Sequence, residues 1–261
     1  MKYGFIGCGN MGGAIARALS KTTGEIMITD RSGKAKALAD ELHLVYTDSA
    51  DIASSCDRIF LAVKPQMMAD ALKPLRKLLR ENKPLLITMA AGLEICRIQE
   101  LAGCELPVIR IMPNTPVLVG RGMTLYCSND LVDDAVLEDF LDDMAFTGHM
   151  DAIAEKLIDS AGVVSGCGPA YMYMFAEALA DGAVACGVPR AKALEYAAAT
   201  LVGAGEMLLQ TGEHPGKLKD NVCSPGGSTI AGVNVLEDRA FRGAVIDCVK
   251  AAYKRNQELG K

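Results

Sequence analysis

The chain has 261 residues, 50% of them apolar, no Trp and a formal charge of −5. That length holds one large domain or two of ordinary size, and the apolar share fills either core. No Lys/Arg cluster runs longer than two residues, which excludes the concentrated basic footprint of a nucleic-acid binder, and no apolar run reaches membrane-spanning length.

Nine cysteines stand at positions 8, 56, 96, 104, 127, 167, 186, 223 and 248, and three histidines at 43, 149 and 214. None forms a Cys-x-x-Cys pair, so zinc spacing is absent and no metal is expected. An odd count scattered through apolar runs points to reduced, mostly buried thiols in a reducing compartment. The N-terminus enters a strand without a charged leader, so a cytoplasmic location is expected.

Lys2 to Ile6 reads as a strand. Gly7-Cys8-Gly9-Asn10-Met11-Gly12 follows, and Met11, Ile15, Ala18 and Leu19 give a helical stripe behind it. This is Gly-x-Gly-x-x-Gly with a strand before and a helix after. Gly7 makes the turn, Gly9 admits a pyrophosphate and Gly12 lets the helix pack on the strand. A second strand, Glu25 to Thr29, ends in Asp30-Arg31-Ser32, where a dinucleotide's adenosine ribose is read. An acidic residue there binds ribose hydroxyls, whereas Arg with Ser accepts a 2′-phosphate. Arg31 and Ser32 favour NADPH, with NADH also usable. Lys34 and Lys36 beyond them read equally well as a solvated helix face.

The alternation continues. Helix 34–42, strand 57–63, helix 66–79, strand 84–89, helix 94–101 and strand 107–112 follow in turn. Such alternation means a mostly parallel sheet with helices on both faces, with ligands outside the carboxyl ends of the strands. Those ends are the Gly7 loop, Val63-Lys64-Pro65, Met89-Ala90-Ala91 and Met112-Pro113-Asn114-Thr115-Pro116. Two further strands, 122–127 and 149–153, flank a helix at 132–145 and extend the sheet at its edge.

From Glu155 the strand pattern stops. Residues 155–165, 169–187, 190–211, 214–222, 229–237 and 239–259 read as helices, rich in Ala and Gly between 176 and 209. Part of that apolar surface belongs to a subunit interface. The fold expected is α/β: a Rossmann-like dinucleotide-binding domain over 1–153, then an all-helical substrate-binding and dimerisation domain over 154–261.

Ser224-Pro225-Gly226-Gly227-Ser228-Thr229 opens the helix that runs on through Ile230, Val233 and Leu236. Two glycines free the backbone, and Ser228 and Thr229 are good N-cap residues. Free N–H groups and the helix dipole at such a turn favour an anion. A small carboxylate is the expected ligand; an ordinary tight turn between helices is the bland alternative.

With both halves read, the chain resembles pyrroline-5-carboxylate reductases essentially end to end. The resemblance rests on Phe5-Ile6-Gly7-Cys8-Gly9-Asn10-Met11-Gly12, Ala62-Val63-Lys64-Pro65-Gln66, Ala90-Ala91-Gly92 and Met112-Pro113-Asn114-Thr115-Pro116. It continues through Ser165-Gly166-Cys167-Gly168-Pro169-Ala170-Tyr171, His214-Pro215-Gly216-Lys217-Leu218-Lys219-Asp220 and Val222-Cys223-Ser224-Pro225-Gly226-Gly227-Ser228-Thr229. Cys167 departs from the family's usual Ser. Asp30 departs at a place that is usually not acidic, which bears on cofactor preference and not on the reaction.

The resemblance implies hydride transfer from NADPH or NADH to a five-membered cyclic imine carrying a carboxylate. It implies cofactor contacts by Ile6 to Gly12, Asp30 to Ser32, Ala62 to Pro65, Ala90 to Gly92, Pro113 to Thr115, and Asn221. The carboxylate would lie on the N–H groups of Gly227, Ser228 and Thr229, helped by Ser224 and Gly226, with Ile230, Ala231 and Gly232 behind. Thr229 would bond the ring nitrogen, and Glu155 would balance iminium charge or be a solvated helix-start residue. Homodimers through the helical domain, assembled into larger rings, are also implied. Two rivals remain. A β-hydroxyacid dehydrogenase would need a lysine in the stretch from Gly166 to Met174, where none stands. A non-catalytic NADP-binding regulator would not need a hydroxyl-bearing carboxylate turn.

Overall fold

The computed structural model describes residues 1–23 and 25–259. The chain opens as β1 (Tyr3–Ile6), α1 (Asn10–Leu19), β2 (Ile26–Thr29), α2 (Lys34–Leu42), β3 (Val45–Tyr46), α3 (Ser49–Ser55) and β4 (Arg58–Leu61). It continues with α4 (Met68–Leu72), α5 (Arg76–Asn82), β5 (Leu85–Thr88), α6 (Ile95–Ala102), β6 (Val108–Met112), β7 (Gly122–Ser128), α7 (Asp134–Asp143) and β8 (Gly148–Ala152). Helices follow: α8 (Glu155–Ser165), α9 (Gly168–Ala185), α10 (Arg190–Thr211), α11 (Pro215–Val222), α12 (Ser228–Asp238) and α13 (Phe241–Leu259).

The eight strands form one sheet in the order β3-β2-β1-β4-β5-β6-β7-β8. Pairing is parallel from β3 to β6. β7 runs antiparallel to β6, and β8 runs parallel to β7. Thr29, Ile6, Leu61, Thr88 and Arg110 stand in one row across the sheet. This row marks the carboxyl edge, where ligands bind in open α/β sheets. Alternating side chains feed two cores. Tyr3, Phe5, Phe60 and Ile87 join one, and Ile6, Ile59, Leu61 and Leu86 the other. Phe5 stacks on Phe60 at 4.5 Å between ring centroids. β1, β4 and β5 are buried along their whole length, as strands covered on both faces must be.

Two compact units emerge: residues 1–167 together with the chain from Tyr253 onward, and residues 168–252. The sequence division at 153/154 lies one helix earlier. The difference is α8, which packs on β7 and β6. A Cβ on Gly162 of this helix would sit 2.9 Å from Met112 Cγ, and its last residue, Ser165, accepts a hydrogen bond from Asn114. In the second unit α9 packs on α10 through Ala176, Ala180, Ala193 and Ala197.

Two expectations need correction, and two elements go beyond the sequence pattern. The single helix over 66–79 is broken into α4 and α5 by a 3₁₀ turn at Lys73–Leu75, because Pro74 has no N–H to donate and its ring crowds the preceding turn. β3 and α3 had no counterpart in the sequence pattern. The thiols are unpaired but not mostly buried: Cys8 and Cys56 are buried, Cys96 and Cys186 exposed, and the other five intermediate.

Candidate functional site

Gly7 takes φ +97°, and a Cβ there would lie 2.7 Å from the Ala62 carbonyl oxygen, so only glycine fits. A Cβ on Gly12 would lie 2.6 Å from the Gly7 carbonyl oxygen, which brings α1 directly against the turn. Gly9 caps α1 without a side-chain hydrogen bond and faces open space. The first bond of α1 runs from Gly13 N–H to the Gly9 carbonyl, leaving the N–H groups of Asn10, Met11 and Gly12 as the helix's positive end.

A cavity of about 410 Å³ opens beside this turn. Ten of the expected residues line it: Ile6, Gly7, Cys8, Gly9, Asp30, Arg31, Ser32, Ala62, Val63 and Lys64. The sequence missed Ser49, Met67 and Asp70 on its wall. Ser49 begins α3, whose Asp48 cap accepts from Ala50 and Asp51 N–H at 2.8 and 2.9 Å. That capping signal, Asp48 before Ser49, was the one available in the sequence. Asp30 is tied into its own turn, accepting from Ser32 Oγ at 2.5 Å and Gly33 N–H at 3.0 Å. Arg31 is exposed at the cavity, with no ion-pair partner among the described residues. Burial, then the nearby Asp30 charge, pushes the Cys8 thiol up to about 12, so it stays protonated.

Asn10, Met11, Gly12, Pro65, Ala90, Ala91, Gly92, Pro113, Asn114 and Thr115 do not line this cavity. Pro65 begins a 3₁₀ turn, Pro65–Met67, and Thr115 another, Thr115–Val119. Ala90 is buried, and Gly92 sits at φ +73° in the loop between β5 and α6. Asn114 spends its side chain inward: Nδ2 donates to the Ser165 carbonyl and Oδ1 accepts from Met123 N–H, each at 2.9 Å. Glu155 is half-buried and has two protein partners. Its Oε1 accepts from Ile95 N–H at 2.7 Å and lies 3.5 Å from Arg110 Nη1.

In the second unit, Gly226 takes φ +68° and Gly227 N–H donates to the Ser224 carbonyl at 3.0 Å. A Cβ on Gly227 would strike Ser224 Oγ at 2.3 Å. The cap of α12 is therefore Gly227, ahead of the expected Ser228 or Thr229 by one or two residues, and it makes no side-chain capping bond. Gly227 N–H, expected to bind the ligand, is spent inside the turn. Ala231 N–H bonds back to the Gly227 carbonyl at 3.4 Å, so it belongs to the helix, with Gly232 behind it. The N–H groups left over are those of Ser228, Thr229 and Ile230, and Thr229 is exposed beside them. Asn221 lies in the last turn of α11, also exposed.

Residues 155–259 match the family model described as pyrroline-5-carboxylate reductase dimerisation, and residues 2–92 match NADP oxidoreductase coenzyme F420-dependent. The chain is 42% identical to a pyrroline-5-carboxylate reductase of Escherichia coli, over 100% of this chain and 98% of that protein. It belongs to the pyrroline-5-carboxylate reductase family. A crystal structure of the Plasmodium falciparum pyrroline carboxylate reductase with NADP bound superposes at a TM-score of 0.90. Its identity is 34%, covering 100% of this chain and 98% of that one. The 1-pyrroline-5-carboxylate reductase of Streptococcus pyogenes gives 0.90 at 33% identity, covering 99% and 98%. The Gly7 turn lies in residues 2–92, matched to NADP oxidoreductase coenzyme F420-dependent, and the Ser224–Thr229 turn in 155–259, matched to pyrroline-5-carboxylate reductase dimerisation.

Proposed function

We infer that this chain reduces 1-pyrroline-5-carboxylate to proline with NADPH, accepting NADH as well. The observation that carries the reading is the α12 start, where the N–H groups of Ser228, Thr229 and Ile230 have no backbone partner and no competing side-chain cap, in a chain of this family. A carboxylate fits such an end in charge and in hydrogen-bond count. The NADP reported for the Plasmodium relative suits the cavity beside Gly7, where Arg31 is available to a 2′-phosphate while Asp30 is held by Ser32 and Gly33.

The nicotinamide cofactor supplies the hydride, and the protein's residues hold and polarise the acceptor. The carboxylate rests on the Ser228 and Thr229 amides, with Ser224 and the Gly226–Gly227 turn shaping the seat. The protonated ring nitrogen donates to Thr229 Oγ1, which orients the C=N bond and favours its charged form. Hydride addition at the imine carbon then leaves the neutral ring amine. Positioning can supply up to roughly 7–11 kcal/mol of such a barrier, which suits a site poor in titratable groups. Glu155 takes no part in the proton step in this reading, since both of its partners are protein groups.

The first unit, which includes α8, carries the cofactor, and the helical second unit carries the acid and the dimer contact. Tyr173, Met174, Val202 and Leu209 are 64%, 70%, 66% and 83% exposed, which favours cover by a second copy, and larger rings of such dimers extend the same reading. No helix among the described residues is long and apolar enough to cross a membrane. Unpaired thiols fit a reducing compartment, which we take to be the cytoplasm. Purified protein mixed with NADPH and the cyclic imine should consume cofactor absorbance and yield proline in equal amount. No imine-dependent consumption would refute the assignment.

A further inference from the structure

Two arginines are buried in the sheet, each 1% exposed: Arg58 at the amino end of β4 and Arg110 at the middle of β6. Arg58 begins β4, at the amino end. Its Nη1 donates to Tyr3 Oη at 2.6 Å and Asp143 Oδ2 at 3.0 Å. Arg110 stands in the carboxyl-edge row beside Thr88, where β5 ends and the Ala90-Ala91-Gly92 loop begins.

That loop has little to hold it. Ala and Gly offer no side chain beyond a Cβ. Its own hydrogen bonds are long: Met89 N–H to the Leu61 carbonyl at 3.5 Å, Ala90 N–H to Thr88 Oγ1 at 3.4 Å and Leu93 N–H to the Ala90 carbonyl at 3.3 Å. Glu94, the cap of α6, makes no side-chain capping bond. Two carboxylates of α8 act instead. Glu155 Oε1 accepts from Ile95 N–H at 2.7 Å, and Asp159 Oδ1 from Gly92 N–H at 3.4 Å. Four residues apart, they share one face of α8 and repel each other. Arg110 bridges them, with Nη2 2.7 Å from Asp159 Oδ1 and Nη1 3.5 Å from Glu155 Oε1.

We propose that Arg110, Glu155 and Asp159 are positioning residues: an ion-paired strap that sets the Ala90-Ala91-Gly92 loop for the nicotinamide cofactor. The strap rests on the reading of the crevice as a dinucleotide site. It touches neither cofactor nor imine, and it acts by fixing the loop's backbone through Gly92 and Ile95.

The test uses the full-length chain with Glu155→Ala, Glu155→Gln and the double variant Glu155→Gln/Asp159→Asn. NADPH dissociation constants are read from cofactor fluorescence without imine, then KM for each reactant, kcat and Tm. A hydrogen bond to a charged group is worth ten- to a hundredfold, so Glu155→Ala should weaken NADPH roughly tenfold while KM for the imine stays within about twofold. Glu155→Gln keeps an acceptor for Ile95 N–H and should recover most of that loss. The double variant keeps the shape but leaves Arg110 unpaired, and should again cost roughly tenfold. Tyr3→Phe, in the Arg58 cluster, should lower Tm without moving NADPH affinity, so it calibrates a purely structural effect.

NADPH affinity within twofold of the parent in a folded Glu155→Ala, or losses in both KM values that track Tm as a general destabilisation would, overturns the strap. Should Glu155→Ala not fold, the double variant decides by the same criterion: a tenfold loss supports the strap, and affinity within twofold overturns it. A shifted pH profile of kcat with NADPH affinity intact would make Glu155 a direct participant and also overturn the strap. A parent that binds NADPH in a strap-dependent way but leaves the imine unreduced would sink the proposed reaction and keep the strap.

Discussion

The sheet unit and the helical unit are stabilised by different means. Behind the sheet lie two clusters of large side chains, with Phe5, Phe60, Phe140 and Ile15 fully buried in one of them. Between α9 and α10 the buried cluster is four alanines, while Tyr196, Val202, Met207 and Leu209 stay exposed. Hydrophobic stabilisation follows apolar area removed from water. One chain therefore completes the first core, whereas the second unit keeps apolar surface for a further copy. The difference extends to the ligands. The proposed cofactor crevice is framed by a finished sheet, and the proposed carboxylate seat is a bare helix start on the less finished unit.

The sharpest way to break this contrast is in the cores. Phe60→Ala removes a ring that stacks on Phe5 and packs near the Tyr3 and Phe140 rings, with centroids 5.9 and 6.2 Å away. It should cost about 3–5 kcal/mol, read as a large fall in Tm. Ala180→Gly, at the buried contact of α9 with α10, should cost only about 1 kcal/mol. Equal losses would deny the difference. Thr229→Ala comes next. It should lower kcat/KM ten- to a hundredfold, for a charged hydrogen bond worth about 1.5–3 kcal/mol, with Tm unchanged. An unaltered kcat/KM removes Thr229 from the reaction.

Arg31→Ala should raise KM for NADPH about tenfold and leave KM for NADH within twofold, the loss of one phosphate contact. If NADH is the better donor in the parent, Asp30 governs the ribose after all. The smallest effect is on alkaline stability. Burial pushes the Cys56 and Cys127 thiols up to about 11 from 9.0, with Glu155 adding to the rise at Cys127. The unfolded chain sheds these protons near pH 9 and the folded one near pH 11. Stability is therefore full below pH 9 and falls between 9 and 11. Cys127→Ala should flatten that fall in a Tm series, and an identical slope would contradict the burial account.

The sequence showed regular periods well and side-chain destinations poorly. α8 and α10 have the bounds that their stripes suggest, and Gly7 to Gly12 stands between β1 and α1 as the glycine pattern requires. β3 is two residues long, too short to show an alternation, and Pro74 breaks a helix whose apolar stripe continues past it. At the carboxylate turn the glycine requirement was legible, but not that Gly227 spends its N–H on Ser224. The strand over 107–112 hides Arg110 within it. The signal was there: a charge within Val108-Ile109-Arg110-Ile111-Met112 needs a buried counter-charge, and Glu155 and Asp159 stand one helical turn apart. Only packing says which charge meets which.

The most direct measurement is a crystal structure of this chain with NADP⁺ and proline. The account predicts the proline carboxylate on the Ser228 and Thr229 amides, its ring nitrogen at Thr229 Oγ1 and the pyrophosphate at the start of α1. Proline bound elsewhere with the Ser224–Thr229 turn empty would contradict it.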